Sequence, residues 1–88
     1  MRWTIRLAKE ATKQLKGVPA DKQKLLRRRL HEMQEDPLQG DVKPLKGKEW
    51  HGWYRKRVGR YRLIFTLDRP GRIVEVAAIL IRDEGTYR

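Results

Sequence analysis

The stretch Trp53-Tyr54-Arg55-Lys56-Arg57-Val58-Gly59-Arg60-Tyr61-Arg62-Leu63-Ile64-Phe65-Thr66-Leu67 decides how the chain is read. Two runs rich in aromatic and β-branched residues flank a Gly59-Arg60 pair, the pattern of two strands joined by a tight turn. Side chains alternate faces along a strand, so Arg55 and Arg57 share one surface, while Lys56 points the other way or lies near an edge. Across the turn, Arg62 falls close to that pair. Three guanidinium groups so placed suit one phosphate, because the planar arginine fork donates bidentately to phosphate oxygens and stays charged at any relevant pH. The competing reading is a solvated, salt-screened strand face. Tyr61 shares a face with Leu63 and Phe65 and is read as core.

Working outward, Asp68-Arg69-Pro70-Gly71 marks a second turn and residues 72–81 a third strand, which completes an antiparallel meander. Upstream, PLQGDVKPLKGKE (residues 37–49) holds two prolines and two glycines with little periodicity and reads as a surface connection. Before it come two helical patterns. Pro19 suits the first turn of a helix that buries Leu26, Leu30 and Met33 and ends at Glu35-Asp36-Pro37. Ala8, Ala11 and Leu15 form the stripe of a shorter helix stopped by Gly17. At the start, Trp3, Ile5 and Leu7 alternate with Arg2, Thr4 and Arg6, the signature of a half-buried strand over residues 2–7. The order strand, helix, helix, strand, strand, strand predicts a single α+β domain over residues 1–88, an antiparallel sheet with two helices on one face.

The 88 residues carry 22 Lys and Arg against 11 Asp and Glu, a formal charge of +11, with 38% of residues charged. An excess of that size implies a polyanionic or acidic partner: nucleic acid, an anionic surface or an acidic protein. Between Lys43 and Arg62 stand eight basic residues (Lys43, Lys46, Lys48, Arg55, Lys56, Arg57, Arg60, Arg62) and one acid, Glu49. With no cysteine, the chain has neither disulfides nor a thiolate metal site or nucleophile, which fits a reducing cytoplasm. Neither a signal-peptide core nor a membrane-length apolar run is present, so no membrane partner is expected.

Other candidates carry less. Arg27, Arg28 and Arg29 spread around a helix and read as a solvated face, with contact to rRNA or an acidic helix as the alternative. Trp3 is assigned to the core, and Trp50 either packs or stacks on a base. His31 and His51 have no metal-ligand spacing to another donor, and His51 reads as a solvated loop residue, so no metal or other cofactor is expected. Motifs of serine hydrolases, glycosidases and P-loop NTPases are absent.

The run from Trp53 to Phe65, approached by Pro44-Leu45-Lys46-Gly47 and closed by Ile79-Leu80-Ile81-Arg82-Asp83-Glu84-Gly85-Thr86-Tyr87-Arg88, resembles the RelE/ParE superfamily of bacterial toxin–antitoxin pairs. The resemblance implies a cytoplasmic toxin. In the RelE branch it enters the ribosomal A site, between rRNA and mRNA, and cuts the mRNA until a cognate antitoxin covers it. Operator DNA is bound only by the toxin–antitoxin complex. In the ParE branch the same fold poisons DNA gyrase. By resemblance, Arg55 and Arg57 match the two basic strand positions, often lysines in RelE, Arg62 the arginine of the Tyr-Arg pair, and Tyr87 the C-terminal tyrosine. Arg82 matches the C-terminal arginine with a spacing that differs by one residue, and a surface ion pair with Asp83 or Glu84 is its alternative. For Tyr87 the alternative is a tail aromatic packed on the sheet.

Metal-independent RNA cleavage uses the substrate's 2′-OH as nucleophile and needs a base, a stabilised phosphorane and a proton for the leaving 5′-oxygen. Arginine is too basic to be that base, so Arg55, Arg57 and Arg62 are cast as phosphate stabilisers and Tyr87 as base, its phenol acidified by the cations. Lys43, Lys46, Lys48, Lys56 and Arg60 are expected to contact RNA, with Lys48 or Lys56 the amines available if the chemistry needs one. The sequence leaves two rivals to a ribosome-dependent endoribonuclease: a non-enzymatic gyrase inhibitor and a basic nucleic-acid-binding module.

Overall fold

The computed structural model describes residues 2–81. Its elements are β1 (Thr4–Leu7), α1 (Lys9–Lys16), α2 (Ala20–Glu32), β2 (Val42–Pro44), a single 3₁₀ turn (Lys48–Trp50), β3 (Trp53–Val58), β4 (Tyr61–Asp68) and β5 (Ile73–Ile81). They form one five-stranded sheet in the order β1-β5-β4-β3-β2. The expected α+β class holds.

The β3–β4 hairpin turns as the sequence implies. Val58 pairs with Tyr61, leaving Gly59 and Arg60 as the loop, and Gly59 sits at φ +58. Only the first loop residue has positive φ, which is the arrangement of a II′ turn and the reason glycine stands there. β4 then pairs with β5 along its whole length, with one irregularity: Ile64 faces Ala78 and Phe65 faces Val76, so Ala77 is an extra residue that bulges β5.

One sheet face is covered by both helices. Ala11 and Leu15 of α1 and Leu26 and Leu30 of α2, with Met33 just beyond, meet Val58, Tyr61, Leu63, Phe65, Val74, Val76 and Ile79 in a continuous core. Phe65, Leu63, Val74, Val76, Leu26 and Ala11 are fully enclosed, and Tyr54 stacks on Phe65 at 5.6 Å between ring centroids. The amide of Ile79, close to the bulge, donates to Gln14 Oε1 of α1 at 2.6 Å. Among the described residues no helix lies over the opposite sheet face, so whatever alternates with the core residues is presented there.

Two features differ from the expectation of a purely antiparallel sheet with a loop before the meander. β1 joins the far edge parallel to β5, pairing Ile5 with Val74 and Leu7 with Val76. That register sets both apolar side chains of β1 on the core face, and the two-helix crossover is long enough to allow parallel pairing. The 37–49 connection contributes β2, which pairs antiparallel with β3 and covers the edge that would otherwise lie open. Three residues ending in Pro44 are too few to show a period of two. At the start, β1 begins at Thr4, two residues later than the alternation suggests, and Arg72, placed in the third meander strand, is instead a turn residue with φ 53. Among the described residues no helix is long and apolar enough to cross a membrane.

Candidate active site: a guanidinium cluster on the open sheet face

Because Val58, Tyr61, Leu63 and Phe65 are drawn into the core, the residues between them must face outward. Arg57 stands directly opposite Arg62, and Arg55 opposite Ile64 on the same face. The amide of Arg57 donates away from β4, to the carbonyl of Asp41 at 3.0 Å. Arg57 and Arg62 therefore form a non-hydrogen-bonded cross-strand pair, the closer of the two kinds, with Cα atoms about 4.5 Å apart in regular sheets. Like charges set directly opposite one another cost stability. Set together and partly shielded from solvent, they concentrate positive charge at one point of the sheet and suit an anion above it.

Arg57 Nε strengthens that reading, being buried with no hydrogen-bond partner among the described residues. A buried donor left unmet costs about 1–3 kcal/mol, which an incoming phosphate oxygen relieves. Arg55 is differently held. Its Nη1 donates to Asp41 Oδ1 at 3.0 Å and to the Asp41 carbonyl at 3.3 Å, and its side chain is only 13% exposed. The bond from Arg55 lowers the Asp41 carboxyl below its usual range, against the opposing effect of desolvation, and the charges of Arg55, Arg57 and Lys43 add to the lowering. Asp41 thus orients Arg55 and partly neutralises it, while Arg57 and Arg62 stand directly opposite one another on the same face.

Lys56 corrects an expectation. The sequence predicts that it contacts RNA, yet it points to the core face, is 6% exposed, and donates from Nζ to the carbonyl of Gln39 at 2.6 Å. Strand alternation is the cause: with Arg55 and Arg57 outward, Lys56 must turn inward. Burial holds its pKa below the usual lysine value, helped by Arg29 and opposed by Glu32, Asp36 and Asp41. Lys56 is therefore a strut beneath the connection. Lys43, Lys46, Lys48 and Arg60 are exposed around the cluster, on β2, the loop after it and the β3–β4 turn. Arg82 and Tyr87 lie outside the described residues. Sequence reasoning missed Asp41, whose only signal is its place one residue before β2, where the edge pairing brings it beside Arg55.

A family model for the ParE toxin of type II toxin–antitoxin systems matches residues 5–85. The chain belongs to the RelE/ParE superfamily of type II toxins. Among solved structures, it is similar to a chain of the RelBE2 toxin–antitoxin complex from Mycobacterium tuberculosis, with a TM-score of 0.83 and 23% identity over 93% of this chain and 100% of that one. The isolated E. coli RelE toxin matches with a TM-score of 0.77 and 19% identity over 93% of this chain and 86% of that one. The RelB–RelE complex from Methanococcus jannaschii contains a chain 31% identical, TM-score 0.68, covering 88% of this chain and 89% of that one. No curated protein sequence matches. The two-helix, five-stranded architecture is thus that of the RelE-like toxins, and the arginine cluster lies on the sheet face that the helices leave open.

Proposed function

We propose that this toxin is a ribosome-dependent mRNA endonuclease of the cytoplasm that inhibits translation and is neutralised by a cognate antitoxin. The carrying observation is the opposed Arg57–Arg62 pair on the open face, with Arg57 Nε buried and unmet among the described residues. Arg57 and Arg62 hold the phosphate and stabilise charge on the phosphorane as the 2′-oxygen attacks, and Arg55, set by Asp41, supports them from two residues away. Bond formation from the 2′-oxygen to phosphorus expels the 5′-oxygen, giving a 2′,3′-cyclic phosphate and a 5′-hydroxyl. Tyr87, as the phenolate, takes the 2′-OH proton, a solvent water gives a proton to the departing 5′-oxygen, and Arg82 assists at the phosphate. The ribosome supplies substrate orientation, which a site built mainly of arginines does not. Lys43, Lys46, Lys48 and Arg60 bind neighbouring phosphates of mRNA or rRNA.

A cognate antitoxin is supported by similar chains that occur in toxin–antitoxin complexes. An acidic or amphipathic partner would cover the basic face, and the complex, rather than the toxin alone, would bind operator DNA. The match to a ParE model favours one second reading, a gyrase inhibitor without nuclease chemistry.

The test is mRNA integrity in a reconstituted translation system, alongside a gyrase cleavage assay. We expect mRNA cut within ribosome-bound codons, and cutting slowed about 10²- to 10³-fold by Arg57→Ala and by Arg62→Ala, the usual effect of deleting one preorganised charge stabiliser. Intact mRNA together with gyrase-dependent DNA breaks overturns the proposal, as does full activity in a folded Arg62→Ala protein.

A further inference from the structure

Beyond the arginines, the open face carries a second arrangement that phosphate binding does not use. Trp53 pairs with Thr66, Thr66 with Glu75 and Glu75 with Arg6, so one row of side chains crosses β3, β4, β5 and β1. A hollow of about 240 Å³ opens along this row, lined by Arg6, Ala8, Trp53, Glu75, Val76 and Ala77. Its origin is local: β5 bulges at Ala77, and the small side chains of Ala8 and Ala77 leave space beside a large indole. That volume lies below the roughly 300 Å³ at which sites for drug-sized molecules begin, and it suits one planar ring.

The indole is fixed in place. Trp50 meets Trp53 edge-on, with centroids 6.2 Å apart and planes at 89°, and Thr66 Oγ1 ties the preceding loop to the sheet by donating to the Gly52 carbonyl at 2.7 Å. An aromatic held this way loses little freedom when a second ring stacks on it. Beside it, Glu75 Oε2 accepts from Arg6 Nη1 at 2.9 Å, while Oε1 has no donor among the described residues. Both side chains are about half exposed, Arg6 at 60% and Glu75 at 47%, so a ligand reaches them without rearrangement.

We infer that this hollow holds one unpaired RNA base, stacked on Trp53, and that Glu75 reads the base's exocyclic amino group. The inference rests on the endonuclease reading and adds its base subsite. A carboxylate only accepts hydrogen bonds, so it favours adenine, cytosine and guanine, whose amino groups donate, and disfavours uracil, which presents a carbonyl instead. Four residues separate Trp53 from Arg57 on β3, roughly 13 Å at a strand rise of about 3.3 Å per residue. The base in the hollow therefore belongs to a nucleotide flanking the one whose phosphate lies at Arg57 and Arg62.

The experiment measures cleavage rates in the reconstituted translation system on mRNAs that differ by one base at each position around the cut. The wild-type chain should disfavour uracil about tenfold at one flanking position, the scale of one missed hydrogen bond to a charged acceptor. Glu75→Gln, whose amide both donates and accepts, should narrow that ratio to about threefold or less. Trp53→Leu, which keeps apolar bulk without the ring, should slow cleavage of every mRNA about tenfold while the melting temperature stays within a few degrees. An unchanged base profile in Glu75→Gln, or wild-type rates in Trp53→Leu, overturns the base site and leaves the endonuclease standing. If the wild-type toxin cuts no mRNA, the endonuclease reading fails and the base site falls with it.

Discussion

Replacing Lys56 by Met isolates the strut beneath the 37–41 connection. Methionine keeps an unbranched stem of similar length in the same enclosed position and removes only the amine, so packing is nearly conserved and the 2.6 Å bond to the Gln39 carbonyl is lost. A hydrogen bond of this kind contributes about 1 kcal/mol net, up to about 3 when the donor is charged, against which stands the cost of keeping a charged amine 6% exposed. At neutral pH we expect Lys56→Met to lower stability by about 1 kcal/mol, or about 4–8 °C in Tm for a domain of this size.

The dependence on pH is the sharper test. Burial lowers the Lys56 pKa from 10.5, so between the lowered value and 10.5 the unfolded chain binds a proton that the folded chain lacks. Raising the pH through that window therefore favours the folded wild-type protein, by at most about 1.4 kcal/mol per pH unit. The methionine variant has no such group. Urea unfolding followed by circular dichroism from pH 7 to pH 10, at fixed ionic strength, gives the stability difference between the two proteins, in which all shared titrations cancel. That difference must widen as pH rises. A difference that stays flat or shrinks toward pH 10 refutes the buried-amine account of Lys56.

Two further substitutions probe the frame of the arginine cluster. Gly59→Ala places a Cβ in open space at φ +58, so its cost is backbone strain alone, and a thermal melt should show a loss of about 1–3 kcal/mol. For Asp41→Asn, acid titration is informative, since the Asp41 carboxyl has a folded pKa below 3.8 and contributes stability that is present above 3.8 and lost as pH falls through the lowered value. Acid unfolding of the variant, followed by circular dichroism, should be less steep below pH 4 than that of the wild type.

How much of this was readable beforehand follows from how local each signal is. The hairpin, its turn and the shared face of Arg55, Arg57 and Arg62 depend on a period of two and on Gly59, all within one short stretch, and the structure reproduces them. The helices were legible because Leu26, Leu30 and Met33 repeat at helical spacing over about two turns. The parallel edge pairing of β1 was not, because Ile5 and Leu7 state which face is buried but not which strand lies alongside or in which direction. β2 was hidden for another reason: Val42-Lys43-Pro44 forms a strand only because β3 offers it an edge. Asp41 and the inward Lys56 both follow from that edge, so neither the Arg55 partner nor the strut could be assigned until the sheet order was known.

The same alternation that builds the core also fixes the cluster, and this decides which substitutions disturb the site. Val58 and Tyr61, the last and first residues beside the turn, are each 6% exposed on the core face, while their neighbours Arg57 and Arg62 face outward. A slip of one residue in β4 would carry Tyr61, Leu63 and Phe65 to the open face and bring Arg62 into the core, where an unpaired guanidinium costs several kcal/mol. The repulsion between Arg57 and Arg62, a few tenths to about 1 kcal/mol for a cross-strand pair, is far too small to drive that exchange. Leu63 and Phe65, neither of which touches the open face, therefore act as register pins for the cations. Enlarging or shrinking them alters the spacing of the two guanidinium groups before it alters their number, so core variants should lose phosphate affinity while they remain folded.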